Sequence, residues 1–134
     1  IQDISAGEAY ASDYSKKATT VLASREWHIT FETGRAALRP EAKDIAEQIY
    51  NLLIQAENSK VEIVGHTDNT GTRDGNYSLS QARAEAVKSY LMQKGIPGTR
   101  FQKIDGRGQD EPVGDNSTAA GRAKNRRVIV TLLN

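Results

Sequence analysis

Asp68 and Arg83 are the residues whose types and placement could do chemistry. With a helical step of about 100° per residue and Leu79 set at zero, Ala86 falls near about −20°, Tyr90 near about +20° and Val87 near about +80°. Arg83 falls near about +40°, inside this apolar stripe, while Gln81, Glu85 and Lys88 lie on the other side. A guanidinium on a packed face needs a partner, or its desolvation costs several kcal/mol. One reading is an internal salt bridge, or an arginine that snorkels to the helix edge. The other is a clamp at the helix N-terminus, where free N–H groups and the macrodipole already favour an anion and the Arg fork suits a carboxylate. Asp68 sits just past a strand end, at the start of the polar loop that leads into the Arg83 helix. It pairs with Arg83 or Arg73 as a structural bridge, or it takes an ammonium while Arg83 takes a carboxylate. The second arrangement suits a zwitterion such as an amino-acid head group. Stability separates the readings of Arg83. Its replacement by Ala is nearly neutral if it is a ligand clamp and costs about 3–5 kcal/mol if it is half of a buried bridge. Asp68, in a loop, is expected to contribute little stability.

The elements that must position these residues follow from periodicity. Trp27, Ile29 and Phe31 alternate with His28, Thr30 and Glu32, a strand pattern that Gly34 ends. Pro40 and Glu41 open a helix, and Ala42, Ile45, Ala46, Ile49, Leu52, Leu53 and Ala56 give it one apolar face. Val61 to His66 reads as a second strand, and Asn69 to Gly75 as a polar loop. Ser78 with Gln81 forms a capping-box pattern, so the next helix is predicted from Leu79 to about Lys94, stopped by Gly95 and Pro97. Arg100 to Gly106 reads as a third strand. A long loop over 106–121 follows, of a length that is usually functional or partly disordered, with a short helix predicted over 119–125. Arg127 to Leu133 closes the chain, apolar on both faces and so expected at the centre of a sheet. The order β-α-β-α-β-β argues for an α+β two-layer sandwich, with helices packed on one face of a mixed sheet. Residues 1–24 read as a separate linker segment with an extra N-terminal helix, carried by Tyr10, Tyr14, Ala18, Val21 and Leu22, and 25–134 as the domain. That helix is a candidate surface for docking or for a homodimer.

Composition narrows the function classes. The chain has 134 residues, with 18 Lys and Arg against 17 Asp and Glu, a net charge of +1, and no cysteine. One domain fits this length, and disulfides, thiolate metal sites and cysteine nucleophiles are excluded. The charge balance argues against nucleic acid. The basic cluster Arg122, Lys124, Arg126 and Arg127 lacks interleaved aromatics. Arg126 and Arg127 would also face opposite ways if both lay in the strand. His28 and His66 are the only histidines, with no third metal ligand evident. Ser78 and Ser80 near His66 lack the G-x-S-x-G elbow of a hydrolase. No enzyme activity, cofactor or metal is expected. No apolar run approaches the ~20 residues of a membrane helix, so a membrane link would come from a segment upstream of Ile1.

The run Gly65-His66-Thr67-Asp68-Asn69-Thr70-Gly71, then Asn76, then Leu79-Ser80-Gln81-Ala82-Arg83-Ala84, resembles the signature of the OmpA-like peptidoglycan-binding domain. Ile29-Thr30-Phe31 with Gly34 and Leu38 resembles that family's first strand and loop. Gly106-Arg107-Gly108 with Pro112 resembles its Gly-rich turn, and Gly121-Arg122 with Asn125-Arg126-Arg127-Val128 its closing motif. The resemblance covers about residues 26–133. It implies a mixed four-stranded sheet and non-covalent binding of peptidoglycan at the meso-diaminopimelate of the stem peptide, whose side chain ends in a carbon bearing both ammonium and carboxylate. Asp68 and Arg83 match the family's acid and arginine that hold this group. Asn76 and Leu79 match positions that shape the pocket. Many members carry an acid in the first loop where this chain has Gly34. The backbone of Thr33 and Gly34, rather than a side chain, is then expected to line the pocket. The resemblance further implies a periplasmic place at the cell wall of a Gram-negative-type envelope, in an outer-membrane-associated parent protein. The alternative is a protein–protein docking module of the envelope that has lost peptidoglycan affinity.

Overall fold

The computed structural model describes residues 25–133. The expected N-terminal helix, and the docking or homodimer contact assigned to it, lie outside these residues. Strand β1 (Arg25–Thr30), helix α1 (Pro40–Gln55), strand β2 (Lys60–Gly65), helix α2 (Arg73–Gln93), strand β3 (Phe101–Gly106), helix α3 (Ala119–Asn125) and strand β4 (Arg127–Leu133) follow in order. A single 3₁₀ turn, Gly98–Arg100, precedes β3. The strands form one mixed sheet in the order β1-β4-β2-β3. β2 and β3 run parallel, and β4 lies antiparallel between β1 and β2. The expected α+β architecture is therefore observed, with the closing strand at the centre as its apolar run required.

Register assigns the two faces of the sheet. Val61, Ile63 and Gly65 of β2 stand opposite Leu132, Val130 and Val128 of β4. Val128 and Val130 in turn stand opposite Ile29 and Trp27 of β1. The side chains of Ile29, Val61, Ile63, Val128, Val130 and Leu132 meet Ala42, Ile49 and Leu53 of α1 and Ala84, Val87 and Leu91 of α2 in one core, with Trp27 packed against it. Arg100 closes the far end, donating from Nη2 to the carbonyls of Leu53 and Ala56 at the end of α1. On the surface, Glu47 of α1 accepts from Tyr90 of α2 and pairs with Lys94 just beyond it.

Two boundaries differ from the periodicity reading. α2 begins at Arg73, six residues before Leu79. Its N-cap is Thr72, whose hydroxyl accepts from Gly75 N at 3.0 Å. Ser78 lies inside the helix, so the Ser78–Gln81 pattern is not a cap. β1 ends at Thr30. Phe31 continues inward beyond the strand and is buried, its N–H bound to Arg126 O at 2.9 Å.

The parallel strands end on a glycine pair, Gly65 beside Gly106. A Cβ on Gly65 would stand 2.0 Å from the Ser80 carbonyl oxygen, and one on Gly106 would stand 2.5 Å from Gln81 N. Both glycines let the first half of α2 lie directly on the sheet end. Gly65→Ala or Gly106→Ala forces backbone against backbone and is expected to cost about 2–3 kcal/mol, read as a lower urea midpoint. An unchanged midpoint would show that α2 can lift without loss.

Candidate functional site

β1, β2 and β3 all end at the edge of the sheet where β4 begins, and α2 starts over the same edge. The carboxyl ends of parallel strands beside a helix start are a common ligand position. Four segments converge there: the loop after Phe31, residues 66–72 after β2, the turn after β3, and Arg126 before β4.

Arg83 holds these segments together. Its side chain reaches in from α2 with no exposed surface. Nε donates to Arg35 O at 2.8 Å, Nη1 to His66 O at 2.9 Å and Nη2 to Glu32 O at 3.0 Å. Its guanidinium also lies over the Phe31 ring, 5.2 Å from the centroid. Arg83 is thus neither half of a carboxylate bridge nor a snorkelling side chain. It satisfies main-chain carbonyls beyond the strand ends, where the sheet ladder no longer can. Three of its five N–H groups are used in this way. Burial lowers its pKa to about 10, partly offset by the charge of Asp68 and reinforced by that of Arg126. It remains a cation at neutral pH.

Periodicity places Leu79, Ala86, Tyr90, Val87 and Arg83 on the packed stripe, with Leu79 as the zero of angle. The buried residues of α2 are Asn76, Ser80, Arg83, Ala84, Val87 and Leu91, so the buried stripe is centred about 90° from Leu79, close to Val87, at the far side of the expected one. Leu79 is half-buried at its margin. The polar members Asn76 and Ser80 hid the true centre.

Asp68 is only 4% exposed, and its carboxylate partners neither Arg83 nor Arg73. Oδ1 accepts from Thr70 N at 2.9 Å, and Oδ2 accepts from Arg126 Nη1 at 3.2 Å. Burial alone would raise its pKa, but the bonds from Thr70 and Arg126 outweigh that and hold it below the usual carboxylate range. Arg73 pairs instead with Asp110. The expectation that Asp68 contributes little stability is therefore corrected, because its removal leaves Arg126 half-buried without its counter-charge.

Arg126 is the residue at this sheet end whose place local pattern missed. It is the C-cap of α3, not a strand residue. Its Nε donates to Phe31 O at 3.0 Å while Nη1 reaches Asp68. Arg127, the first residue of β4, points elsewhere and donates to the Glu111 carbonyl. The two arginines reach different partners, but strand alternation is not the reason, because only Arg127 lies in β4. A usable signal existed in the topology: the residue just before a central closing strand must lie beside the ends of its neighbours.

Asn76 is brought to the same place. Its Nδ2 donates to Asp68 O at 3.3 Å and to Gln109 Oε1 at 2.8 Å. Thr33 and Gly34 are exposed in the first loop, between the Glu32 and Arg35 carbonyls that Arg83 holds. Gly34 has φ +69°, a conformation that suits glycine at this turn. The turn after β3 is fastened by Gly108, whose N–H donates to Ser80 Oγ and whose carbonyl accepts from Thr67 N, each at 2.9 Å. The rest of the long loop is ordered by Asn125. Its Oδ1 accepts from Val113 N and Gly114 N, and its Nδ2 donates to Gly114 O and Asn116 Oδ1.

His66 is 2% exposed, and its Nδ1 has no hydrogen-bond partner. Burial, and then the charge of Arg127, push its pKa down to about 4, so it is neutral near pH 7. Among the described residues, no group of three or more His, Cys, Asp or Glu could hold a metal ion.

Comparison with known proteins bears on this arrangement. The model of the OmpA family matches residues 30–126. The probable lipoprotein YiaD of Escherichia coli is 37% identical over 105 residues, which are 78% of this chain and 48% of YiaD. The chain thus spans about half the length of that relative. Among solved structures, the peptidoglycan-associated lipoprotein from Burkholderia pseudomallei superposes with TM-score 0.74 and 26% identity, covering 78% of this chain and 88% of that one. The cell wall anchor of the T6SS from Pseudomonas aeruginosa gives TM-score 0.70 and 33% identity, covering 83% and 82%.

Two outcomes follow from the geometry. Arg83→Ala leaves three carbonyls without their donor and is expected to cost about 3–5 kcal/mol by urea unfolding. A near-neutral result would mean that the segments hold together without it. Between about pH 6.5 and the folded pKa of about 4, the unfolded chain binds a proton at His66 that the folded chain refuses. Stability therefore falls as pH falls through that window, by about 1–3 kcal/mol. His66→Gln should flatten this part of the stability curve, and an unchanged slope would assign it to other groups.

Proposed function

Because this chain belongs to the OmpA family, we propose that it binds peptidoglycan non-covalently and anchors its parent protein, or the outer membrane, to the cell wall without cleaving it. The ligand group is the meso-diaminopimelate of the stem peptide, and the place is the periplasm of a Gram-negative-type envelope. Residues 25–134 are the wall-binding unit, and 1–24 are a linker segment. The observation that carries the reading is the charge set at the sheet end: one buried carboxylate, Asp68, paired with Arg126, and the buried guanidinium of Arg83 held by the neighbouring His66 carbonyl.

That set suits a zwitterion. Asp68, kept ionised by Thr70 and Arg126, is the acceptor for the ammonium. The two arginines leave a surplus positive charge for the carboxylate on the same carbon. Arg126 already donates to Asp68 and to the Phe31 carbonyl, so it can turn one N–H to the ligand without moving far. Arg83 acts through its nearby charge and through the carbonyls it fixes. Direct contact with its two remaining N–H groups requires a shift of the exposed loop Glu32 to Arg35. Asn76 and Leu79 shape one wall, and the backbone of Thr33 and Gly34 the other. The names of the two structural neighbours, peptidoglycan-associated lipoprotein and cell wall anchor, support the reading.

Sedimentation with purified diaminopimelate-type sacculi should carry the domain into the pellet and release no soluble fragments. Asp68→Ala should remain in the supernatant. Stems with lysine in place of diaminopimelate keep the ammonium and lack the carboxylate. They should bind weaker by about 2–5 kcal/mol in calorimetry. Retention of wild type in the supernatant would overturn the binding proposal, and equal affinity for both stems would overturn the carboxylate assignment.

A further inference from the structure

We infer that Tyr77, Arg73 and Asp110 form a second subsite, beside the stem-peptide pocket, that takes the amino-sugar backbone of the same polymer. The inference rests on the peptidoglycan reading above and extends it from the peptide to the glycan.

Tyr77 is 40% exposed. Among the described residues, Phe31 is buried, and Trp27, Tyr50 and Phe101 pack against the core. Ile54, Met92 and Val113, the other large exposed apolar residues, are not aromatic. Tyr77 therefore presents a ring to solvent where the other aromatics are used for packing or, as with Tyr90, tied to the neighbouring helix.

The ring is also fixed. Its hydroxyl donates to Asp110 Oδ2, and Asp110 Oδ1 pairs with Arg73. Gly108 lies against it with φ +58°, where a Cβ would stand 3.4 Å from Tyr77 Cγ. Gly108 is itself fastened to Ser80 and Thr67. An exposed ion pair contributes at most about 1 kcal/mol to stability, so stability alone gives little reason for this assembly. A ring held in one orientation loses little freedom on binding, which is what makes a platform effective. The apolar face of a pyranose suits such a ring. Arg73, mostly exposed, and Asp110, one-third exposed, lie at its edge as donor and acceptor for hydroxyl and acetamido groups.

The location fits the polymer. Tyr77 follows Asn76, whose side chain touches the Asp68 carbonyl and Gln109, the neighbour of Asp110. Diaminopimelate is the third stem residue, so L-Ala and a γ-linked D-Glu separate it from the sugar's lactyl ether, and a sugar on Tyr77 would belong to the same peptide–sugar unit as a diaminopimelate at Asp68.

The test is calorimetry with two probes, the L-Ala-γ-D-Glu-meso-diaminopimelate tripeptide alone and the same tripeptide on the GlcNAc-MurNAc disaccharide. Wild type should bind the disaccharide form about fivefold tighter, the scale of one aromatic contact. Tyr77→Ala should lose that preference and keep the tripeptide affinity, which also shows that it is folded. Tyr77→Trp should keep the preference. Equal wild-type affinity for the two probes, or a preference that survives Tyr77→Ala, would overturn the glycan subsite and leave the stem-peptide reading standing. Failure of wild type to bind either probe would overturn both.

Discussion

One buried guanidinium organises the site. Arg83 ties the loop after β1 and the segment after β2 to helix α2 through three main-chain carbonyls. Beyond its strand each segment has lost the ladder that satisfies its backbone, and a buried carbonyl without a donor is expensive. A single planar fork meets all three at once. The glycine pair Gly65 and Gly106 makes this reach feasible, because it lets α2 approach the sheet end closely. Without that approach Arg83 would not reach the carbonyls.

The charged groups at the sheet end depend on this frame. Asp68 is oriented by Thr70 and by Arg126, and Arg126 is held by the Phe31 carbonyl, in the segment that Arg83 also secures. In the proposed binding mode, structural and binding roles therefore overlap at Arg83. A variant there is expected to change the fold and the affinity together, whereas Asp68 is proposed to lie nearer the ligand in the same chain of contacts. Such a site departs from the pattern of an apolar core, and departures of this kind concentrate where function is.

Much of the fold was legible in the sequence because its strands alternate and its first helix has one apolar face. The central place of β4 followed from an apolar run with no polar face. The start of α2 was not legible. Gly75 and Asn76 are weak helix formers, while Ser78 and Gln81 imitate a cap inside the helix. Asp68 and Arg83 stood out by type and place, but their partners did not. Arg83 is satisfied by carbonyls, which leave no mark in the sequence. Arg126 lies 58 residues from Asp68 and meets it only because β4 enters between β1 and β2.

The central claim is that Asp68 and the arginines around it receive the zwitterionic end of diaminopimelate. The most direct measurement is an NMR titration of the domain with the meso-diaminopimelate tripeptide, following the Thr70 amide and the Nε–H signals of Arg83 and Arg126. The account predicts saturable shifts at Thr70 and Arg126, with a smaller shift at Arg83. Shifts confined to other surfaces, or none at saturating peptide, would contradict it.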